Sequence, residues 1–369
     1  MILTSVKLKN FRCHKDISLS FSDKLNYIVG GNGQGKTAIL ESIYYLCTTK
    51  SHNTNSDSEV LKFGENVFEI SGSFKNLVND KVRIIYSSEK NKKSYLQNGK
   101  HKHRLSEVIG NYPIVLLTPA DHSITFGYPG DRRKFIDSIY CQASAAYLWL
   151  LVDYHKTIRQ RTSLLNSLKE NRNKNFRELD AWTQKLLETG LDLINYRKNF
   201  FSEFEPFVKQ AHKEILNGNE NPGLKYFYLG GYDEENIRDR FVDLLETKRD
   251  DELRRCTCLV GPHKDDFVFD INGINLKTFG SQGQHKTFQV ALRFAEFFYL
   301  KEKTGKAPIF LLDDVFGELD TARSVRISEN LRRVGQTFIT LTDFTDISYL
   351  HKQSTDTVIK LMNGKATYA

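Results

Sequence analysis

The chain has 369 residues, room for two or three domains of roughly 150 residues each and for a sizeable core. Apolar residues at 40% and charged residues at 27% exclude global disorder. The longest clear apolar run, Tyr147 to Val152 with two alanines before it, is far below the ~18 residues of a membrane span, and Met1 to Arg12 alternates apolar with polar instead of building a signal core. Membrane insertion and secretion are therefore not expected, and a cytoplasmic protein is. The formal net charge of +8 favours a polyanionic partner. Five scattered cysteines, an odd number without zinc or redox spacing, read as reduced thiols.

In chain order, short strands are predicted at Leu3 to Leu8, Ile17 to Phe21, Tyr27 to Val29, Val67 to Phe74, Val82 to Ser87 and Pro113 to Leu117. One helix, Gly35 to Leu46, interrupts them. Asn98-Gly99 predicts a hairpin, because both residues tolerate the positive φ of a type I′ turn. From Asp131 to about Thr247 the pattern becomes helical, including Arg177 to Asn217, and reads as an inserted arm. Strand character returns at Asp265 to Ile271, closed by an Asn272-Gly273 turn, with a helix from Gln284 to Lys303 after it. The apolar strands Pro308 to Leu312 and Thr337 to Leu341 flank a helix from Thr321 to Val334. Fully apolar strands alternating with helices predict an α/β fold with a parallel sheet covered on both faces.

Gly30-Gly31-Asn32-Gly33-Gln34-Gly35-Lys36-Thr37 matches the P-loop pattern and sits in its required setting, between an apolar strand and a helix. Its glycines let backbone N–H groups surround phosphate oxygens, Lys36 would reach the β and γ phosphates, and the Thr37 hydroxyl would ligate Mg²⁺. A P-loop needs an acidic partner for the metal. The strand ending in Asp313-Asp314 supplies it, with Asp313 expected on Mg²⁺ and Asp314 expected to polarise the attacking water. Most of the chain separates the two motifs, whereas a compact nucleotide kinase closes its sheet within one domain. That split is the pattern of SMC-like ABC-type ATPases.

Further segments carry the same signal. Phe279-Gly280-Ser281-Gln282-Gly283-Gln284 opens a helix like an ABC signature loop, in which Ser281 and Gly283 would meet the γ phosphate held by a second subunit. Gly317-Glu318-Leu319-Asp320 resembles the D-loop, and Leu8-Lys9-Asn10-Phe11-Arg12 resembles the start of SMC-like heads. With Thr118-Pro119-Ala120-Asp121, Gly130 to Asp137 and Gly261-Pro262-His263-Lys264-Asp265-Asp266-Phe267, the chain resembles the RecF family over essentially its whole length.

The resemblance implies an ABC-type P-loop ATPase head split into two lobes with an inserted helical arm: residues 1–130 with the P-loop, 131–250 as the arm, 251–369 with the signature loop. It implies an ATP- and Mg²⁺-dependent homodimer that binds single-stranded and duplex DNA at gaps. It also implies work with RecR- and RecO-like proteins to load recombinase in DNA repair, replication restart and the SOS response. The implied catalysis is a slow, DNA-stimulated ATPase used as a switch. Transporter-type ATPases place Glu at the Asp314 position and His near Thr342-Asp343, and no glutamine lobe-switch loop can be read here. A P-loop kinase of a small acceptor and a transporter ATPase subunit are the alternative readings. DNA contact is expected at Lys90, Lys92, Lys93, Lys100, Lys102 and Arg104, six cations in a stretch without an acid, presented on the Asn98-Gly99 ribbon.

Overall fold

A computed structural model describes residues 1–76, 79–170, 176–216, 220–232, 236–318, 321–343 and 353–369. Two compact units form, one of residues 1–121, 214–217 and 290–369, the other of 122–213 and 218–289.

The first unit opens with the antiparallel strands β1 (Ile2–Phe11) and β2 (His14–Ser20). A bulge between Leu3 and Ser5 shifts the register of β1, which is why its buried residues step from Leu3 to Val6 and then Leu8. Next come β3 (Leu25–Val29), α1 (Lys36–Thr48), and the meander β4 (Val67–Lys75), β5 (Asp80–Ser87), β6 (Lys92–Gln97) and β7 (Lys100–His101). Asn98 and Gly99 turn between the last two at φ 51° and 76°, the handedness a two-residue hairpin requires. The resulting sheet has the order β2-β1-β4-β5-β6-β7, and β8 (Ile114–Leu117) follows it in the chain.

The second unit begins with α2 (His122–Phe126), α3 (Pro129–Ala143), α4 (Ala145–Glu170) and α5 (Phe176–Leu216). The predicted helical block is broken by a strand, β9 (Pro222–Phe227), before α6 (Ile237–Thr247) and α7 (Arg249–Arg255). β10 (Asp266–Ile271) pairs with β9 on one side and with β11 (Ile274–Asn275) on the other. This pairing explains a departure from the expected boundaries at 130 and 250: residues 251–289 belong with the arm, because β10 takes its hydrogen bonds from residues 222–227. α8 (Leu276–Phe279) and α9 (Gln282–Thr304) follow, α9 belonging to the second unit up to Gln289 and to the first from Val290 on.

The first unit is completed by β12 (Ile309–Leu312), α10 (Thr321–Leu331), β13 (Thr337–Leu341), β14 (Thr357–Met362) and β15 (Lys365–Tyr368). Its second sheet runs β15-β14-β3-β13-β12-β8, parallel except for the β14–β15 hairpin. Every residue of β3, β12 and β13 is buried, as continuous apolar strands covered on both faces should be. α1 packs Ile39, Leu40, Ile43, Tyr45 and Leu46 into the same core as Leu3, Phe11 and Phe68 of the first sheet and Leu311 and Phe338 of the second. At roughly 1.5–3 kcal/mol per buried large apolar side chain, this packing fixes the helix that carries the P-loop.

Candidate nucleotide-binding site

The P-loop connects the buried end of β3 to the first turn of α1. Gly33 and Gly35 take φ of 76° and 86°, conformations that cost any other residue. At Gly35 a Cβ would lie 2.5 Å from both Cys13 Sγ and His14 Nε2, and at Gly30 one would lie 2.7 Å from the Leu361 carbonyl. The glycines therefore answer to neighbours as well as to a ligand. Gly30 N–H donates to the Leu341 carbonyl at 3.2 Å, Asn363 N–H donates to Gln34 Oε1 at 2.8 Å, and His14 Nε2 donates to the Gly35 carbonyl at 3.1 Å. Gly31, Asn32 and Gly33 remain exposed at the crest. Lys36 Nζ donates to the Gly30 and Gly31 carbonyls at 2.5 and 3.1 Å. Burial lowers its pKa, and Asp314 and Asp313 oppose that shift.

β12 brings the acidic partners, and β13 a hydroxyl beside them. Thr37 Oγ1 donates to Asp313 Oδ1 at 3.1 Å, and Thr340 Oγ1 donates to the same oxygen at 2.7 Å. Asp313 is buried, with its N–H on the Leu117 carbonyl at 2.9 Å. Asp314 adopts φ 52°, and its N–H donates to Thr340 Oγ1 at 2.9 Å, which leaves its side chain exposed beyond the strand. The arrangement offers a polyphosphate a loop of backbone donors and an ammonium. To a hard divalent cation it offers one hydroxyl and one carboxylate, the sparse protein donor set Mg²⁺ uses when phosphates complete its shell. No cluster of three or more His, Cys, Asp or Glu with metal-binding geometry occurs among the described residues.

Ser281 caps α9. Gln284 N–H donates to Ser281 Oγ at 3.2 Å while Ser281 N–H donates to Gln284 Oε1 at 2.9 Å, a reciprocal cap that holds the signature loop with Ser281 and Gln282 exposed. Gly283 is half-buried in the first turn. Of the D-loop, Gly317 is exposed, while Leu319 and Asp320 lie outside the described residues.

Residues 2–362 match the family model of the RecF/RecN/SMC N-terminal domain. The DNA replication and repair protein RecF of Chloroherpeton thalassium is 36% identical over 97% of this chain and all of its own length. RecF of Ligilactobacillus salivarius is 35% identical, with 100% and 97% covered. The chain belongs to the RecF family. A solved structure described as the recombination mediator RecF with ATP in the RecFOR pathway superposes with a TM-score of 0.90 at 30% identity, covering 100% of this chain and 97% of that one. The Smc head of Pyrococcus furiosus, at 15% identity and a TM-score of 0.56, shares the fold alone. The fold is thus the ABC-type ATPase head of RecF and SMC proteins, and the kinase and transporter readings lose their ground.

Within this RecF-family head, the six candidate DNA-contacting cations do not behave alike. Lys90, Lys92, Lys100 and Arg104 are exposed and Lys102 is half-buried. Lys93 points inward: its ammonium lies 2.7 Å from Asp57 Oδ2 and donates to the Thr49 carbonyl at 2.8 Å and to Tyr45 Oη at 3.2 Å. It shares a face of β6 with the buried Tyr95, two residues on, because alternate residues of a strand point the same way; the ribbon expectation took all six cations as outward-facing. Arg12, too, is spoken for, with Nε and Nη2 donating to the buried Glu41 of α1 at 2.7 and 2.5 Å.

Sequence reasoning missed Arg293 of α9. It donates through Nε and Nη2 to Asp121 at 2.8 and 2.6 Å and through Nη1 to Glu296 at 2.7 Å. One guanidinium serves two buried carboxylates, and burial pushes Glu296 up to about 7. The i, i+3 spacing of Arg293 and Glu296 was readable, but the third partner, in the Thr118 to Asp121 box, lies far away in sequence.

Proposed function

We propose that the chain is an ATP-dependent, DNA-binding recombination mediator in which ATP and Mg²⁺ join two copies and hydrolysis parts them. The observation that carries the reading is the meeting of Thr37 and Asp313 at 3.1 Å beside Lys36, in a RecF-family head whose signature serine is exposed at a helix start. Lys36 would leave the Gly30 and Gly31 carbonyls for the β and γ phosphates. Thr37 and Asp313 would hold Mg²⁺, which when bound neutralises phosphate charge and orients the γ phosphate. Asp314 would order the attacking water. Its carboxylate is one methylene shorter than the Glu of transporter-type ATPases, which favours slow turnover.

In this reading, Ser281 and Gly283 of one copy close over the γ phosphate held by the other. DNA, single-stranded and duplex at a gap, is gripped by the exposed cations Lys90, Lys92, Lys100 and Arg104 and the half-buried Lys102, and RecR- and RecO-like proteins take part in loading recombinase for repair, replication restart and the SOS response. The work is cytoplasmic, where five free cysteines stay reduced. No helix among the described residues is long and apolar enough to cross a membrane. Sedimentation with and without ATP and gapped DNA tests the proposal: a monomer without ATP, a dimer with it, and a DNA-bound dimer with both are expected. A monomer under all three conditions would overturn it.

A further inference from the structure

The second unit carries an open cavity of about 430 Å³ between α3, α4 and α5 and the turn before β10. Cys141, Leu151 and Leu193 give it an apolar floor, and Arg133 and Lys134 stand on its wall. Its size falls within the range of small-molecule sites, which combine a mainly apolar lining with a few convergent polar groups.

The charges decide what it suits. Asp137, the acidic residue of the lining, is consumed by the buried Arg197, whose Nη2 donates to both of its oxygens at 2.9 Å. Arg197 spends Nη1 on the Pro262 carbonyl at 2.8 Å and Nε on Tyr147 Oη at 3.1 Å. His263 is equally committed: Nε2 donates to the Cys258 carbonyl at 3.1 Å and Nδ1 accepts from Tyr154 Oη at 2.8 Å. That tautomer is neutral, and burial pushes the ring down to about 4. Two cations on the wall keep donors for a ligand. Arg133 gives Nη1 to the Asp265 carbonyl, which leaves its other guanidinium donors for a ligand, and Lys134 is exposed. Burial first, and then the neighbouring Arg197, depress the Arg133 pKa, against the opposing pull of Asp265, Asp137 and Asp266.

We propose that this cavity binds a nucleoside monophosphate unit, either free or as one nucleotide of single-stranded DNA. The phosphate would meet Arg133 and Lys134, a fork and a point charge suited to phosphate oxygens. The base would lie over Leu151 and Leu193 beside the exposed His155 ring. None of these residues belongs to the P-loop or the signature loop. The strand source rests on the DNA-binding reading above; the free nucleotide does not.

Photo-cross-linking of the full-length chain tests it, with 5-iododeoxyuridine monophosphate and an oligothymidylate carrying one 5-iododeoxyuridine as the two probes. Mapping the adduct by mass spectrometry separates this cavity from the P-loop. An adduct on the peptide containing Leu151 and His155 is expected, with a yield about tenfold lower at subsaturating probe in Arg133→Gln, the loss of one charge-assisted contact. Because Arg133 also holds the Asp265 carbonyl, Lys134→Glu, on an exposed side chain, must show the same fall. Labelling by the oligonucleotide alone identifies a strand nucleotide, and labelling by the monophosphate alone identifies a free one. No adduct there with either probe, or an unchanged yield in Lys134→Glu, would overturn the assignment.

Discussion

Lys36 lies at the centre of the candidate nucleotide site, and its replacement by Arg keeps the charge while changing the shape. A planar fork cannot occupy the place of a compact ammonium between two phosphates. Lys36→Arg should therefore fold normally, with an unchanged melting temperature, and fail to dimerise on ATP; ATP-driven dimers in this variant would sink the P-loop assignment. Lys93 predicts the opposite pattern. Its ion pair with Asp57 is mostly enclosed, so Lys93→Ala should lower stability by about 1–3 kcal/mol, the cost of leaving buried partners unpaired, and barely alter DNA affinity. Denaturant unfolding and a DNA titration on the same sample separate the two effects.

Glu296 makes a pH prediction. Its folded pKa near 7 lies above the ordinary carboxyl value, so between about 4.5 and 7 the folded state holds more protons than the unfolded one, and stability falls as pH rises through that window. Glu296→Gln fixes the neutral form. Its stability relative to the parent should improve from pH 5 to pH 8, measured by urea unfolding, and a constant difference across that range would contradict the shift.

Among the elements, the β6–β7 hairpin is the one whose role the structure reshapes. It extends the first sheet instead of standing clear of it, so pleat alternation turns Lys93 to the core, while Lys100 lies on the edge strand and Lys102 and Arg104 follow just after it. Converting those three to Ala should reduce the slope of log affinity against log salt by about 0.9 per lost duplex contact, roughly 2–3 in all, and weaken every sequence alike. ATP binding should survive. A folded triple variant with the parent slope would show that this edge is only solvated surface.

For the whole molecule, the proposal that two copies share their nucleotides turns on Ser281. In that proposal an arginine there would fill the seam where the partner's γ phosphate must arrive, while the P-loop of the same copy keeps its own residues. Ser281→Arg should bind ATP as a monomer with near-parental affinity and remain a monomer in sedimentation. Loss of ATP affinity in the monomer would mean that the serine serves its own site.

The parts legible in the sequence were those in which neighbours along the chain make the structure. Strand, glycine loop and helix from Leu25 to Thr48 are contiguous, their φ demands are met by their own glycines, and the buried parallel strands announce themselves by unbroken apolar runs. The Asn98-Gly99 and Asn272-Gly273 turns belong to the same class. Short strands such as β9, β14 and β15 escaped, because partly exposed segments carry weak alternation and take their identity from pairing. Pairing alone decided that residues 251–289 join the arm, that Thr340 shares Asp313 with Thr37, that Arg12 is locked to Glu41 and that Arg293 gathers Asp121 and Glu296. These contacts join residues remote in sequence, and a side chain's charge or hydroxyl does not record which distant partner the folded backbone will bring within 3 Å.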